Sequence, residues 1–402
     1  MKKGQRLENL ISQFLLEGSK YLFSFLTVPL LYNRLSTDSY AKIIIFQALY
    51  TIVFLIINYG FSISGVRNIS LLRNDKQKLN QYFSDILSTR LFISFLITSL
   101  ILLMMLLNGN WIYLFLIPLI LSESLSPVIY YQGVERMKII SGFNVLSRFI
   151  ILIIIFFTVK KDTDLIKVLI GISIIPSILN IIFFIYFKNS NEFKYKLSTY
   201  RNIFKIMRNE GVIFLSQINS LILSVFSTLF LGFVNDLGIV FFSVAVKIMR
   251  LSATAVAAIS NTFLPYTSAK FDESLVDGKK LINKILIFGS GLFILIMITF
   301  IFFPDYILKF LKLYSHESCN ILRIISVVPL LVFLNTIIGI HGLINLGYKN
   351  YFTKITFIGS TALIIFSLLL YKDLNIFGMA ISILIAEISM VILMVYKYIK
   401  IK

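Results

Sequence analysis

The chain has 402 residues, a net charge of +19, 58% hydrophobic residues and a mean hydropathy of +0.89. This composition excludes an ordinary soluble protein and indicates a polytopic membrane protein. A single cysteine, Cys319, excludes an intramolecular disulfide, and no cluster of cysteines or histidines indicates a metal site, so we expect neither a metal nor a cofactor.

Twelve apolar segments are long enough to cross about 30 Å of hydrocarbon as helices. We therefore predict an all-α membrane protein with twelve transmembrane helices. In chain order, the predicted spans are residues 10–32, 40–66, 86–107, 111–133, 139–159, 167–187, 211–232, 238–262, 283–303, 322–346, 351–370 and 375–396.

The distribution of basic residues predicts the orientation of these spans. An even number of spans places both termini on one side. If the N-terminus is inside, the tails and inward connections carry 24 lysines and arginines, and the outward connections carry 8. The remaining six of the 38 lysines and arginines lie within spans. By the positive-inside rule, this bias predicts that both termini are cytoplasmic. It also explains most of the +19 charge, so we expect no nucleic-acid partner.

The longest inward connection, residues 188–210, has an amphipathic pattern. Five apolar side chains recur at steps of four and three residues, as on one face of a helix: Phe193, Leu197, Tyr200, Phe204 and Met207. Basic residues lie off this stripe. The pattern predicts a helix that lies on the inner leaflet and is attracted to anionic lipid; the alternative is a basic linker that the positive-inside rule keeps inside.

A weak internal repeat relates the two parts of the chain at a shift of about 200 residues. "NDKQKLNQYFSDILSTRLFIS" (74–94) resembles "VDGKKLINKILIFGSGLFIL" (276–295), and "TDSYAKIIIF" (37–46) resembles "NDLGIVFF" (235–242). Both pairs fall at corresponding places in the predicted topology, so they indicate two parallel repeats.

The repeat predicts three parts of the chain. Residues 1–187 form an N-terminal six-helix bundle, residues 188–210 a basic cytoplasmic linker, and residues 211–402 a C-terminal six-helix bundle. Parallel halves of this kind commonly enclose a substrate path near the midplane of the membrane. The repeat therefore favours transport by alternating access over an enzymatic reaction.

Charged side chains within the spans cost about 2.5–3.5 kcal/mol each at the middle of a helix. Lys42 and Arg90 lie within a turn or two of a span end, and we expect their side chains to reach the membrane surface. Seven other charges lie deeper and are candidates for function: Lys20, Arg148, Lys247, Arg250, Glu17, Glu123 and Glu387.

The deep basic residues differ in their local surroundings. Lys20 lies three residues after Glu17, so that these two side chains can neutralise each other. Arg148, Lys247 and Arg250 have no acidic residue within one turn of their own helices, and the last two share a helix face.

Two explanations remain open for these three basic residues. They can pair across helices with Glu123 or Glu387, or they can face water or an anion. Arginine suits phosphate because its guanidinium donates two parallel hydrogen bonds, so passage of a diphosphate would account for the buried charge. His341, in the tenth span, is either a proton carrier or a buried histidine with satisfied hydrogen bonds.

Several motifs, in order over most of the chain, resemble the Wzx-type O-antigen and polysaccharide flippases, a family in the same superfamily as the multidrug and toxin extrusion (MATE) transporters. The most specific part is Q-G-x-E-x-M followed by N-x-x-S-R. The motifs are "PLLYNRL" (29–35), "NYGFSISGVRNIS" (58–70), "YYQGVERMKIISGFNVLSRF" (130–149), "AVKIMRLSATAVAAISNTFLPYTSAK" (245–270) and "ILRIISVVPLLVFLNTIIGIHGLINLGYKNYF" (321–352).

The resemblance implies a protein of the bacterial inner membrane that moves undecaprenyl-diphosphate-linked sugar repeat units outward. It implies a V-shaped pair of six-helix bundles with a central cavity lined by basic residues. One departure is Tyr130-Tyr131 before Gln132, where the family more often has a pair that contains tryptophan or phenylalanine. The substrate-binding candidates are Arg148, Lys247, Arg250, Arg67 and Lys20.

The resemblance also bears on coupling and partners. Glu17, Glu123 and Glu387 are the candidates for carrying a coupling ion, and no motif decides among them. The implied partners are the lipid-linked oligosaccharide, the membrane, an O-antigen polymerase and a chain-length regulator.

Three other functions fit a protein with many spans. A cation-coupled drug exporter of the same fold would depend on carboxylates within the membrane. A polysaccharide polymerase or ligase usually needs a long outward loop, and the longest here, residues 304–321, is short. A permease of the major facilitator type carries a G-x-x-x-D-R-x-G-R-R-like loop after span two, whereas this chain has "RNISLLRNDKQK".

Overall fold

The structure is a computed structural model that describes residues 19, 23, 25–234 and 236–400. The regular structure in these ranges is entirely helical, which confirms the predicted all-α class of polytopic membrane protein. Ten helical segments in the described ranges are long and apolar enough to cross a membrane: Thr37–Asn58, Lys76–Leu107, Trp111–Gly133, Met137–Thr158, Asp162–Ser190, Tyr200–Phe233, Ile239–Leu264, Leu275–Phe302, His316–Ile344 and Lys349–Lys400.

The helices are numbered in chain order over the described residues. Those before residue 200 are α1 (25–34), α2 (Thr37–Asn58), α3 (Ser64–Leu72), α4 (Lys76–Asn108), α5 (Leu116–Leu125), α6 (Val128–Gly133), α7 (Met137–Thr158) and α8 (Leu165–Ser190). Those after it are α9 (Tyr200–Phe233), α10 (Ile239–Glu273), α11 (Leu275–Phe302), α12 (Pro304–Phe310), α13 (His316–Ile324), α14 (Val328–Thr336), a π-helix (Ile337–Ile344) and α15 (Lys349–Lys400).

Short polar side chains cap the starts of several helices. The Ser36 hydroxyl accepts a hydrogen bond from the Ser39 amide at the start of α2, and the Asp75 carboxylate accepts one from the Lys78 amide at the start of α4. Such caps satisfy amides that have no partner within the helix. Because of its cap, α4 begins ten residues before the predicted span 86–107, which was defined by its apolar residues alone.

The second predicted span, 40–66, is too long. Helix α2 ends at Asn58 because Tyr59 and Gly60 both have positive φ angles, 38° and 87°. A left-handed pair ends a helix, and glycine takes that conformation without steric cost. The chain then begins the separate helix α3, which carries Arg67.

The fourth predicted span, 111–133, is a broken helix. A 3₁₀ turn at Trp111–Phe115 leads into α5, the chain breaks at Ser126 and Pro127, and α6 follows. Ser126 leaves the helical conformation with φ of −57° and ψ of 123°. Pro127 has no amide hydrogen to donate to the carbonyl four residues earlier. That carbonyl belongs to Glu123, and its oxygen accepts instead from the Ser126 amide at 3.0 Å.

Helix α15 contains two arms that fold back on each other. Its 52 residues would extend about 78 Å as one straight helix, far more than a membrane is thick. Asn375 interrupts it with φ of 49° and ψ of −129°. A Cβ on Gly378 would lie 2.4 Å from the Leu370 carbonyl oxygen, and one on Gly359 would lie 2.5 Å from Met390, so the arms pack antiparallel. The arms correspond to the predicted spans 351–370 and 375–396.

The connection after α8 differs from the predicted interfacial helix. Residues 193–199 are not helical, and the helical part begins only at Tyr200, as the first turns of α9. Phe193 is 2% exposed, and its ring packs 5.4 Å from that of Phe83. The Ser198 amide donates to the Ser88 hydroxyl of α4 at 3.1 Å. The predicted helical face from Phe193 to Met207 is therefore wrong at its N-terminal end, because this part packs on protein.

The chain forms two compact units, Met1–Ile218 and Asn219–Lys402. In the first unit, an aromatic core joins Phe83 of α4, Tyr130 of α6 and Phe187 of α8. In the second unit, a core includes Phe293 of α11 stacked on Phe333 of α14, with ring centroids 4.9 Å apart. The structural division falls inside α9, and the predicted bundles 1–187 and 211–402 stay a prediction. Most of the predicted span 10–32 lies outside the described residues.

Candidate functional site

Helix α10 of the second unit carries the basic pair Lys247 and Arg250 close to the middle of its apolar segment. At 1.5 Å per residue, these positions lie about 12 and 17 Å along the helix from Ile239. Their neighbours Val246, Ile248 and Met249 are buried, whereas Lys247 is half-buried and Arg250 is exposed. The spacing of three residues therefore places the two charges on the less buried side of the helix, as the sequence predicts.

The guanidinium of Arg250 is held by a backbone group of the neighbouring helix. Its Nη2 donates to the carbonyl oxygen of Ser224 in α9. Within the described residues, Arg250 forms no salt bridge with a carboxylate. A carbonyl oxygen orients the guanidinium but does not cancel its charge, so an exposed cationic group remains near the middle of a membrane-length helix.

Arg148 occupies a comparable position on α7 of the first unit. It lies about 17 Å along the helix from Met137 and is half-buried. Its Nη1 donates to the hydroxyl of Ser19. This bond helps to position the arginine side chain.

The remaining predicted substrate residues are Arg67 and Lys20. Arg67 lies on the short helix α3 and is exposed. Lys20 lies outside the described residues, as does Glu17, so their predicted mutual neutralisation stays a prediction.

The first unit contains a buried ionic network that the sequence did not predict. Arg90 of α4 is 0% exposed, and the prediction that its side chain reaches the membrane surface is wrong. Its Nη2 lies 3.0 Å from Oε1 of Glu123, and the same oxygen accepts a hydrogen bond of 3.2 Å from the side-chain amide of Asn58. Arg90 therefore pairs with Glu123 in the interior of the unit.

Arg90 also donates hydrogen bonds to backbone carbonyl groups at the helix break between α5 and α6. Its Nη2 donates to the Glu123 carbonyl oxygen, which Pro127 leaves without its helical partner, and its Nη1 donates to the Ser126 carbonyl oxygen at 2.9 Å. Broken backbone at membrane depth needs such partners, because hydrocarbon offers none. The sequence signal for this break is Pro127, four residues after Glu123. It does not reveal which basic side chain binds the carbonyl groups at the break.

The two deep glutamates have partners other than the deep basic residues of the site. Glu123 belongs to the Arg90 network. Glu387 of α15 accepts a hydrogen bond of 2.7 Å from the side-chain amide of Asn335 in α14. A salt bridge of Arg250 with either glutamate, one of the two open explanations, is absent in the described structure.

His341 is a buried histidine with satisfied hydrogen bonds, which confirms one of its two interpretations. It is 0% exposed and lies in the π-helix. Its Nε2 lies 2.9 Å from the Ser260 hydroxyl, and its Nδ1 lies 2.9 Å from the Thr267 hydroxyl. Both hydroxyls are on α10, so the imidazole ties the π-helix to the helix that carries Lys247 and Arg250. Over the described residues, no three histidine, cysteine or acidic side chains form a group that could hold a metal ion.

The fold and these deep basic side chains define an all-helical, multi-pass membrane protein with the fold of MATE-type transporters. The structure is similar to a multidrug resistance MATE family transporter in an inward-facing conformation, with a TM-score of 0.71, 13% identity and 94% of each chain covered. It is also similar to the lipid II flippase MurJ in an inward closed conformation, with a TM-score of 0.69, 16% identity, and 98% of this chain and 87% of that chain covered.

The chain belongs to the polysaccharide biosynthesis protein family, whose model matches residues 7–271. It is 26% identical over 400 residues to a "Putative O-antigen transporter" of Shigella dysenteriae, with 96% of this chain and 98% of the relative covered. These findings confirm the resemblance that the motifs predict.

Proposed function

We propose that this protein is a flippase that moves lipid-linked O-antigen or polysaccharide repeat units from the cytoplasmic to the periplasmic face of the bacterial inner membrane. Family membership, an O-antigen transporter relative that matches nearly the whole chain, and a fold shared with a lipid II flippase support this proposal. All of these relatives favour a transporter over an enzyme. The transported lipid is undecaprenyl diphosphate carrying the repeat unit.

The observation that carries the proposal is the exposed guanidinium of Arg250. A diphosphate that crosses hydrocarbon needs cationic partners at depth, and Arg250 offers donors near the middle of its helix without a carboxylate partner in the described structure. Arginine donates two parallel hydrogen bonds to phosphate, and Lys247 adds a second positive charge on the same face. A drug cation would be repelled by this pair.

Supporting roles follow for the other candidates. Arg148, Arg67 and Lys20 are proposed to contact the diphosphate or the sugar. Among the acidic candidates, Glu387 is proposed to couple an ion, because its hydrogen bond comes from a neutral amide. Glu123 is the weaker candidate, because Arg90 already holds its charge.

We also propose that the chain crosses the membrane twelve times with both termini in the cytoplasm. The ten candidate helices become eleven when the arms of α15 are counted separately, and the predicted span 10–32 would be the twelfth. The excess of lysine and arginine on the predicted inner side supports this orientation. A flippase of this topology would work by alternating access.

The proposal is tested with Arg250→Gln in a strain that lacks the native gene. We expect at least a tenfold loss of surface polysaccharide and an accumulation of lipid-linked units on the cytoplasmic face, because removing a charged hydrogen-bond donor costs about 1.5–3 kcal/mol of binding. Arg250→Lys keeps the charge and should restore part of the output. Arg148→Ala is expected to give the same defect as Arg250→Gln.

The matched control is Arg208→Gln on α9, which removes an exposed arginine outside the proposed site. It should leave polysaccharide output unchanged at equal protein levels in the membrane. Normal output from Arg250→Gln at equal levels would remove the role of Arg250. Drug resistance that depends on Glu387, with unaltered polysaccharide, would instead identify a cation-coupled exporter.

A further inference from the structure

A pocket with two cations and an apolar wall lies where α7 ends, away from Arg148 on the same helix. It has a volume of about 440 Å³ and is lined by Arg34, Phe156, Phe157 and Lys160. All four residues belong to the first unit. The phenylalanine side chains are 52% and 67% exposed, so the wall is open to the surroundings.

Of the three carboxylates close in sequence to this pocket, Asp164 and Asp38 pair with lysines that do not line it, whereas Asp162 accepts from a backbone amide and keeps its charge. Asp162 Oδ1 accepts from the Ser36 amide at 2.8 Å, and Asp164 Oδ1 accepts from Lys167 Nζ at 2.7 Å. Asp38 pairs with Lys42. Within the described residues, neither Arg34 nor Lys160 forms a salt bridge, so two positive charges remain at the pocket.

Arg34 also removes a repulsive feature from the pocket. Its Nη1 donates to the carbonyl oxygens of Phe156 and Val159, at 2.8 and 2.6 Å, at the end of α7. The carbonyls at a helix C-terminus carry partial negative charge that would repel an anion. These bonds also hold the guanidinium carbon 5.4 Å from the centre of the Phe156 ring, which fixes the position of the charge.

An apolar stripe runs along α7 towards the same pocket. Phe149, Ile153, Phe156 and Phe157 are each at least 40% exposed, and their spacing places them along one side of the helix. The stripe spans about 12 Å from Phe149 to Phe157. An apolar stripe that ends at two cations matches a molecule with a hydrocarbon tail and an anionic head.

We propose that this pocket binds the phosphate of an anionic membrane phospholipid, with an acyl chain along the exposed stripe of α7. Charge complementarity selects an anionic head group, and Lys and Arg side chains near a membrane surface attract such lipids. A volume of about 440 Å³ suits one phosphoglycerol head group. This proposal does not rest on the identity of the substrate that the protein transports.

The test is native mass spectrometry of the detergent-purified full chain titrated with phosphatidylglycerol, or with phosphatidylcholine of the same acyl chains. We expect the wild type to retain phosphatidylglycerol preferentially and Lys160→Gln to raise its dissociation constant about fivefold. Lys160 is exposed and its side chain makes no hydrogen bond in the described structure, so the variant should fold, which thermal unfolding without lipid verifies.

Lys161→Gln is the matched control, because Lys161 is an exposed neighbour that does not line the pocket. It should leave the dissociation constant unchanged. Equal weakening by both variants would show general attraction by surface charge and overturn the proposal, and so would equal retention of phosphatidylcholine.

Two competition arms distinguish other sources of phosphate. Displacement of phosphatidylglycerol by soluble glycerol phosphate at the same concentration would mean that the pocket recognises a free phosphate. Displacement by undecaprenyl phosphate at lower concentration would assign the pocket to the carrier lipid. Either result would overturn the assignment to a membrane phospholipid, whereas failure of both competitors supports it.

Discussion

The buried Arg90 network gives the sharpest test of how the first unit is held together. The substitution Arg90→Met removes a guanidinium that is 0% exposed and keeps a long apolar side chain of comparable shape. Three acceptors lose the guanidinium as a donor: Oε1 of Glu123 and the carbonyl oxygens of Glu123 and Ser126. The Glu123 carbonyl oxygen still accepts from the Ser126 amide at 3.0 Å. The change therefore affects the α5–α6 break directly.

The expected cost follows from the charge that remains. Removing one partner of a buried ion pair destabilises a protein by about 3–5 kcal/mol, because the other charge stays buried without compensation. Asn58 still donates one hydrogen bond to Glu123, which softens the loss. We therefore expect the free energy of unfolding of the first unit to fall by about 3–4 kcal/mol.

Thermal and denaturant unfolding in detergent, compared across four proteins, measures this effect. They are the wild type, Arg90→Met, the double variant Arg90→Met with Glu123→Gln, and the control Lys42→Met. The double variant removes the orphaned charge and should recover at least about 1 kcal/mol relative to Arg90→Met. Lys42 is an exposed cation paired with Asp38, so its loss should change stability little.

Two results would refute this reasoning. If Arg90→Met unfolds like the wild type, the guanidinium does not hold the helix break. If the double variant is less stable than Arg90→Met, the buried charge is not the source of the cost, and the loss comes from packing.

Two further predictions concern the helix ends and turns. Gly378→Ala should destabilise the protein by about 1–3 kcal/mol, because its Cβ would lie 2.4 Å from the Leu370 carbonyl oxygen. A Cβ on Gly291 meets no atom within 4 Å, so the control Gly291→Ala should leave stability unchanged. Thermal unfolding of the two variants tests this difference. The Lys78 amide holds the pKa of the Asp75 carboxyl below its usual 3.8, so the cap of α4 stabilises the helix above that pH and is lost as the pH falls through the lowered value. Hydrogen exchange at the Lys78 amide should accelerate over that acidic range relative to mid-helix amides, and an unchanged ratio would contradict the cap.

Lys42 and Arg90 show the limit of reasoning from position in a span. Both lie near the end of a predicted span, and the sequence treats them alike. Lys42 is exposed and pairs with Asp38 one turn away. Arg90 is buried because its partners come from α5 and from the break after it. Distance from the end of a helix does not report which neighbouring helix lies beside that end.

The helix breaks were only partly visible in the sequence. Pro127 marks a break in the fourth span, and the Tyr59–Gly60 turn ends the second, yet apolar composition alone ran both predicted spans through these points. Composition measures transfer into lipid, whereas a break depends on φ and ψ angles and on replacement hydrogen bonds. Phe193 was assigned to a lipid-facing stripe for a similar reason: its periodicity was real, but Phe83 and Phe187 cover it.

The sequence by itself determined that this is an all-helical membrane protein, where most of its spans lie, and which family it resembles. Those properties follow from local composition and from short motifs, because a membrane requires each spanning segment to be apolar and to satisfy its own backbone. Only the tertiary structure decided which charges are neutralised. Glu123 meets Arg90 and Asn58, which lie 33 and 65 residues away in the chain, and Arg250 meets a carbonyl of another helix. Pairing energy depends on distance in space, and packing between helices sets that distance.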